Sequence, residues 1–293
     1  MLVSEAIEEF AREHKSRGSR PNTIKHYREV LNRLLKPWLE DDLSRLTPLT
    51  INRALERDVK PATLASQHAS LRAFCNWLES VGEIQRNPFL GKARPKVRIE
   101  PKRVLTADEM GKLIEAAKGG ELKARCKARN VALLVLMFDT GLRAGEVASL
   151  KIASIDWEQG IVRVEDGKVG IRFVTVGRKT LKYLKRYITH ERKGNSPALF
   201  LTISHKPISA KQVSQLILKI SQRSGIGWEV RAHRLRHSYS CAYIRAGGDL
   251  FSLQRQLGHT KLETTARYIH WTPEGLQEAN ERFSPVGRIT FPD

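Results

Sequence analysis

Residues 231–271 read R-A-H-R-L-R-H-S-Y-S-C-A-Y-I-R-A-G-G-D-L-F-S-L-Q-R-Q-L-G-H-T-K-L-E-T-T-A-R-Y-I-H-W. The stretch gathers His233, Arg236, His237, His259, Tyr268 and His270, a dense set of groups that bind anions or move protons. Its periodicity predicts three helices: 232–246, stopped by Gly247-Gly248, then about 250–257, then 260–270. In the first, His233, Arg236 and His237 fall at i, i+3 and i+4 and so share one face. Two histidines four apart suggest a metal, but the H-E-x-x-H zinc pattern needs a Glu where Arg234 stands, and Arg236 would repel a cation. Two imidazoles and a guanidinium suit an anion such as a phosphate better.

Composition points the same way. The chain has 293 residues, with 51 Lys and Arg against 31 Asp and Glu, a net charge of +20. That is the footprint of a protein that meets a polyanion, either nucleic acid or an anionic membrane surface. The longest apolar run, Val131 to Phe138, is far short of the roughly 20 residues that span a bilayer, so it predicts a buried helix. Residues 1–10 carry three Glu and no basic region of a secretory signal, and the expectation is a cytoplasmic, nucleoid-associated protein without a membrane. Cys75, Cys126 and Cys241 are widely spaced, with no C-x-x-C pair, and read as small core residues.

Upstream, residues 1–90 predict a helical domain. Helices are expected over Leu2 to Ala11, from Pro21 through Leu35, around Thr50 to Arg57 and from Pro61 to Ser80. Residues 91–104 form a linker, where the run 91–103 holds two prolines, six basic residues and one acid. Such a strap is a solvated linker that can also follow a phosphate backbone. A second domain, 105–293, opens with the capping box T-A-D-E at 106–109. It continues through a helix at 127–139, a short one from Ala144 to Leu150, and β-rich runs at 161–164 and 173–176 around Asp166-Gly167. Helices return at 178–192 and 209–223, and an amphipathic helix at 273–283 precedes the tail.

Two further segments carry chemistry. In T-G-L-R-A-G-E-V at 140–147, Arg143 follows a helix-ending glycine, where its planar fork either faces a phosphate or pairs locally with Glu146. In L-G-H-T-K-L-E-T-T-A-R-Y at 257–268, Tyr268 lies nine residues after His259. A helical tyrosine is a core residue in most proteins, but beside cationic groups its phenolate costs less and it becomes a nucleophile.

Taken together, T-G-L-R-A-G-E, H-R-L-R-H and L-G-H followed by Tyr268 resemble, in order and spacing, the tyrosine recombinases, or phage integrase family. The resemblance extends to the helical N-terminal part with its closing Asn87-Pro88, which looks like that family's core-binding domain. It implies a mainly α fold with a small antiparallel β-sheet in the C-terminal domain, the two domains closing as a C-shaped clamp on double-stranded DNA. With room for a core-binding and a catalytic domain only, the chain looks closer to compact Xer-type members than to large integrases.

By that resemblance Tyr268 attacks the scissile phosphate, leaving a 3′-phosphotyrosine and a free 5′-hydroxyl. Arg143 and Arg236 hold the non-bridging oxygens, His233 serves as general base or proton shuttle, and His259 donates a further hydrogen bond to the phosphate. Glu146 and His237 orient these groups. Lys168, in D-G-K-V-G-I-R-F-V-T-V-G, matches the family's hairpin general acid, with Lys151 as the fallback. That hairpin is about one residue short of the usual pattern and lacks its second basic group and its proline. Neither a metal nor a nucleotide cofactor is implied. Helix 273–283 resembles one that docks on a neighbouring protomer of a homotetramer on two DNA sites, against the alternative of folding back in cis. The expected activity is site-specific recombination, by integration, excision or resolution. The alternatives are a type IB topoisomerase-like nicking-closing enzyme and a catalytically silent architectural DNA-binding protein.

Overall fold

The computed structural model describes residues 1–89, 95, 102–119, 126–166, 170–266, 268, 277 and 280. The chain divides into two compact units, Met1–Glu100 and Pro101–Asp293.

The first unit is helical: α1 (Val3–Ser16), α2 (Pro21–Leu34), α3 (Pro48–Leu55) and α4 (Pro61–Ser80). Three of these helices begin on a proline, whose fixed φ and missing N–H suit the first turn. The apolar stripes predicted for α1 and α2 converge on α4, where Phe10 packs edge-on to Tyr27 and Phe74. Trp77 sits beside Phe10 and donates its indole N–H to the Glu13 carboxylate, so a large aromatic enters the core with its polar atom satisfied.

The second unit is built on α6 (Lys127–Thr140), which contains the apolar run Val131 to Phe138 read from the sequence, most of it buried. Around it stand α5 (Ala107–Lys118), α7 (Ala144–Ser149), α8 (Arg178–His190), α9 (Ala210–Arg223), α10 (Ala232–Arg245), α11 (Leu250–Leu257) and α12 (Leu262–Ala266). Both predicted capping boxes form, Thr106 with Glu109 on α5 and Ser209 with Gln212 on α9. Helices α6 and α8 also cap each other. Glu191, just past α8, accepts from the backbone N–H groups of Ala128 and Arg129 at the start of α6. Asp139, near the end of α6, accepts from Gly177 N–H and the Thr180 hydroxyl at the start of α8. Each carboxylate thus lies at a positive helix end, where the dipole favours it.

The β-rich runs form an antiparallel sheet in the order β1 (Ile155–Asp156), β2 (Ile161–Asp166), β3 (Gly170–Thr175). Val162 pairs with Val174 and Val164 with Arg172, and all four side chains face the core, while Ile171 and Phe173 face outward. All three cysteines are buried and unbridged, as small core residues should be. The helix predicted over 260–270 needs correction: among the described residues it runs from Leu262 to Ala266, and Tyr268 lies in a turn. Thr264 and Thr265 are weak helix formers, and the Thr265 hydroxyl is engaged by His259. Residues 269–276, and with them His270 and most of helix 273–283, lie outside the described residues, as does most of the linker 91–104. Among the described residues no helix is long and apolar enough to cross a membrane.

Candidate active site

The end of α6 sets the geometry. Gly141 closes that helix at φ +65°, a left-handed conformation that costs a residue with a Cβ about 1–2 kcal/mol. A Cβ there would also lie 2.6 Å from the Tyr239 ring of α10 and 2.9 Å from Leu257 of α11. The glycine therefore lets three helices meet, and the chain turns so that Arg143 caps α7.

Arg143 is partly exposed, and its partner Glu146 is not. The Arg143 backbone N–H donates to Glu146 Oε2 at 2.7 Å and its Nη1 donates to Oε1 at 2.7 Å. The local pair of the sequence reading is present: Glu146 fixes the Arg143 side chain, which stays partly exposed. Burial pushes the Glu146 carboxyl up, but hydrogen bonds from Arg172 and the Arg143 backbone, with the charges of both arginines, hold it below its ordinary value. It is an ionised carboxylate among guanidinium groups.

Arg236, on α10, is only 1% exposed. Its Nη1 donates to Gly141 O at 2.8 Å, and Nη2 donates to Leu257 O at 2.7 Å and to His259 Nε2 at 2.8 Å. One side chain thereby ties the T-G-L-R, H-R-L-R-H and L-G-H segments together. Burial, then the charge of Arg143, lowers its pKa to about 10, so it stays cationic at neutral pH.

His259 follows Gly258, which ends α11 at φ +65°. Because arginine only donates, His259 Nε2 accepts, and Nδ1–H donates to the Thr265 hydroxyl at 2.9 Å. Burial, then the charges of Arg236 and Arg143, depress this imidazole to about 4. His233 is lowered by the same causes, burial first and Arg236 second. Both rings are neutral at pH 7. His237 plays a different part. Its Nε2–H donates to the Lys102 carbonyl at 3.1 Å, with Cys241 Sγ at 3.7 Å, so it ties α10 to the segment leading into α5.

Tyr268 is half-buried, its backbone N–H donating to Thr265 O at 3.0 Å. Its ring lies nearly parallel to His259 with centroids 6.2 Å apart, and 5.5 Å from His237. The described side chains of Arg143, Glu146, Arg236, His259 and Tyr268 thus form one connected cluster, with His237 at its edge. Lys168 lies outside the described residues, and Lys151 is an exposed residue whose backbone N–H donates to Ser154.

The sequence reading of the hairpin singles out Lys168 and not Arg172. Arg172 of β3 is buried at 8% exposure, and its Nη2 donates to Glu146 Oε2 at 2.9 Å. The signal for it in the sequence is an arginine two residues before Val174, on the same inward face of the strand. Thr265 was also missed. Its bond to His259 spans a turn and leaves no periodic trace. Among the described residues no group of three His, Cys, Asp or Glu could hold a metal ion.

The sequence and the fold have counterparts. The phage integrase family matches residues 103–274, nearly the whole second unit. Tyrosine recombinase XerA of Pyrococcus furiosus is 33% identical over 291 residues, covering 96% of this chain and 94% of the relative. Tyrosine recombinase XerC of Salmonella typhi is 29% identical over 262 residues, covering 85% of each. The Tn1549 transposon integrase, solved in complex with transposon right end DNA, superposes with a TM-score of 0.77 across 97% of this chain and 100% of its own. Its 20% identity makes that a likeness of fold. With a family match along the catalytic cluster and a 33% identical relative over almost its whole length, the chain belongs to the phage integrase family of tyrosine recombinases.

Proposed function

We propose that this protein is a site-specific DNA recombinase that cuts and rejoins DNA strands through Tyr268. The observation that carries the reading is the gathering of Arg143, Arg172 and Arg236 about the buried Glu146 carboxylate, with His259 bonded to Arg236 and the Tyr268 ring beside His259. A tyrosine beside two guanidinium groups is placed for attack on a phosphodiester, whose charge those groups hold.

The Tyr268 oxygen attacks phosphorus, its proton passes to the neutral His233, and the bond to the 5′-oxygen breaks. Lys168 protonates that oxygen, leaving a 3′-phosphotyrosine and a 5′-hydroxyl. Arg143 and Arg236 hold the non-bridging oxygens as charge builds on them, a role in which one donor contributes roughly a hundred- to a thousandfold in rate. In the free protein the Nε2 lone pair of His259 is taken by Arg236. For His259 to donate to the phosphate it must release that bond and present an N–H. It does so either by carrying its proton on Nε2 instead of Nδ1 or by gaining a second proton, which the arriving phosphate charge, by offsetting the arginines, favours. The phosphotyrosine diester conserves the energy of the broken bond, so a 5′-hydroxyl from another strand rejoins the DNA without a nucleotide.

The partner is a double-stranded recombination site. We infer that residues 1–90 form a DNA-binding core domain, 91–104 a basic strap along the backbone and 105–293 the catalytic domain. We also infer a homotetramer on two sites with helix 273–283 exchanged between protomers, acting in the cytoplasm. The basic composition, the named relatives and the DNA-bound Tn1549 integrase support this reading.

A strand-exchange assay tests it. Two duplexes of different length, each carrying a site selected by this protein from random sequence, should yield products joining one duplex to the other. With one of the sites carried on a supercoiled circle, relaxation without exchange would instead identify a nicking-closing enzyme, and binding with neither reaction would identify an architectural protein.

A further inference from the structure

We propose that Arg172 is a positioning residue for strand cleavage, a buried strut that sets Arg143 and His259 through Glu146 and the end of α11. The inference rests on the reading of those two residues as phosphate-holding groups.

Arg172 bridges three elements that are far apart in sequence. From β3, its Nη2 reaches Glu146 Oε2 of α7 at 2.9 Å, the oxygen that also accepts the Arg143 backbone N–H. Its Nε donates at 2.9 Å to the carbonyl of Gln256 in the last turn of α11. Its side chain lies so close to Gly258 that a Cβ on that glycine would sit 3.1 Å from it. Glu146 is thus gripped from the Arg143 side and from the Arg172 side, and the glycine that precedes His259 is packed against the same guanidinium.

Packing alone does not call for an arginine here. The neighbouring inward positions of the sheet are Val162, Val164 and Val174, and an apolar residue in their company avoids the desolvation of a buried charge. An apolar residue, however, cannot donate in two directions. Lysine cannot replace the fork either, because it offers one nitrogen on a flexible stem. With Arg172 absent, Glu146 is held from the Arg143 side alone, and the pair it forms with Arg143 can shift towards the vacated space. The Gln256 carbonyl loses its donor, and the α11 turn that presents His259 loosens. Misplacing groups at a reacting phosphate by about 1 Å costs on the order of a hundredfold in rate.

The test compares wild type, Arg172→Gln and Arg172→Lys in single-turnover cleavage of a nicked duplex carrying the selected site. Two forms of the scissile linkage are used: the ordinary diester, and a methylphosphonate in which a methyl group replaces one non-bridging oxygen and removes the charge. Duplex affinity and thermal melting are measured alongside. Both variants should bind within about twofold of wild type and cleave the diester on the order of a hundredfold more slowly. The gap should narrow to less than about tenfold on the methylphosphonate, where less charge is left for Arg143 and His259 to hold. A gap of equal size on both linkages means that Arg172 only supports the fold, and wild-type rates in both variants mean that it does nothing for cleavage. Either result overturns the proposal. Should Arg172→Gln not fold, Arg172→Lys, which keeps charge and bulk, carries the comparison. Absence of any adduct from the wild type would instead overturn the recombinase reading, and this inference with it.

Discussion

Arg236 donates Nη2–H to His259 Nε2 at 2.8 Å, so the imidazole is a lone-pair acceptor in the free protein and carries its proton on Nδ1. The same guanidinium nitrogen holds the Leu257 carbonyl, and its neighbour Nη1 holds Gly141. The bonds from Arg236 therefore set both the tautomer of His259 and the distance between the segments that carry Gly141 and His259.

A pH dependence follows. The folded pKa of His259, about 4, lies below its ordinary value of 6.5. Between those values the unfolded chain binds a proton that the folded chain refuses, so stability falls as pH falls from about 6.5 towards 4. His233 acts in the same direction, and so does Glu146, whose lowered pKa gives stability that is lost on acidification. Thermal melting between pH 7 and 4.5 should show a shallower decline for His259→Gln than for wild type. Parallel curves would mean that the ring is not held neutral.

Gly141→Ala should destabilise the protein by about 2–5 kcal/mol, the sum of left-handed strain and overpacking against Tyr239 and Leu257. Denaturant unfolding measures the loss. Gly111→Ala, with nothing within 4 Å of the added Cβ and no positive φ, is the control and should cost nothing.

Glu146→Gln keeps the shape of the side chain and removes the charge that faces Arg143, Arg172 and Arg236. Single-turnover cleavage should fall at least about tenfold, with duplex affinity held or slightly raised because a negative charge has left the phosphate site. Unchanged cleavage would show that the carboxylate does not set the arginines.

Much of the secondary structure was legible because its causes are local. The capping boxes at Thr106 and Ser209, the prolines opening three helices and the apolar run of α6 are all short-range signals. Side-chain contacts such as Arg172 with Gln256, 84 residues apart, or Leu105 with Ser238, 133 apart, leave no pattern along the chain. The periodicity of 260–270 runs on through Tyr268, whereas the chain is in a turn there, and the Thr265 hydroxyl beside the helix end is engaged by His259, a contact that periodicity does not carry. Arg172 is as hard to read: its sequence neighbours say strand, and only the fold says what the strand faces.

Electrostatics gives a separate prediction. With a net charge of +20, duplex binding should be dominated by phosphate contacts. If about six to ten phosphates are neutralised, affinity should drop roughly 10³- to 10⁵-fold between 50 and 200 mM salt. A titration across that range reads the slope, and salt-insensitive binding would contradict a DNA-gripping surface.

The central claim is that Tyr268 is the nucleophile, and covalent trapping on a nicked duplex of the selected site tests it most directly. Wild type should give a denaturation-resistant protein–DNA adduct on the 3′ side of the cut with a free 5′-hydroxyl, and Tyr268→Phe should bind the same duplex without forming it. An adduct that survives Tyr268→Phe, or none from the wild type, would contradict the account.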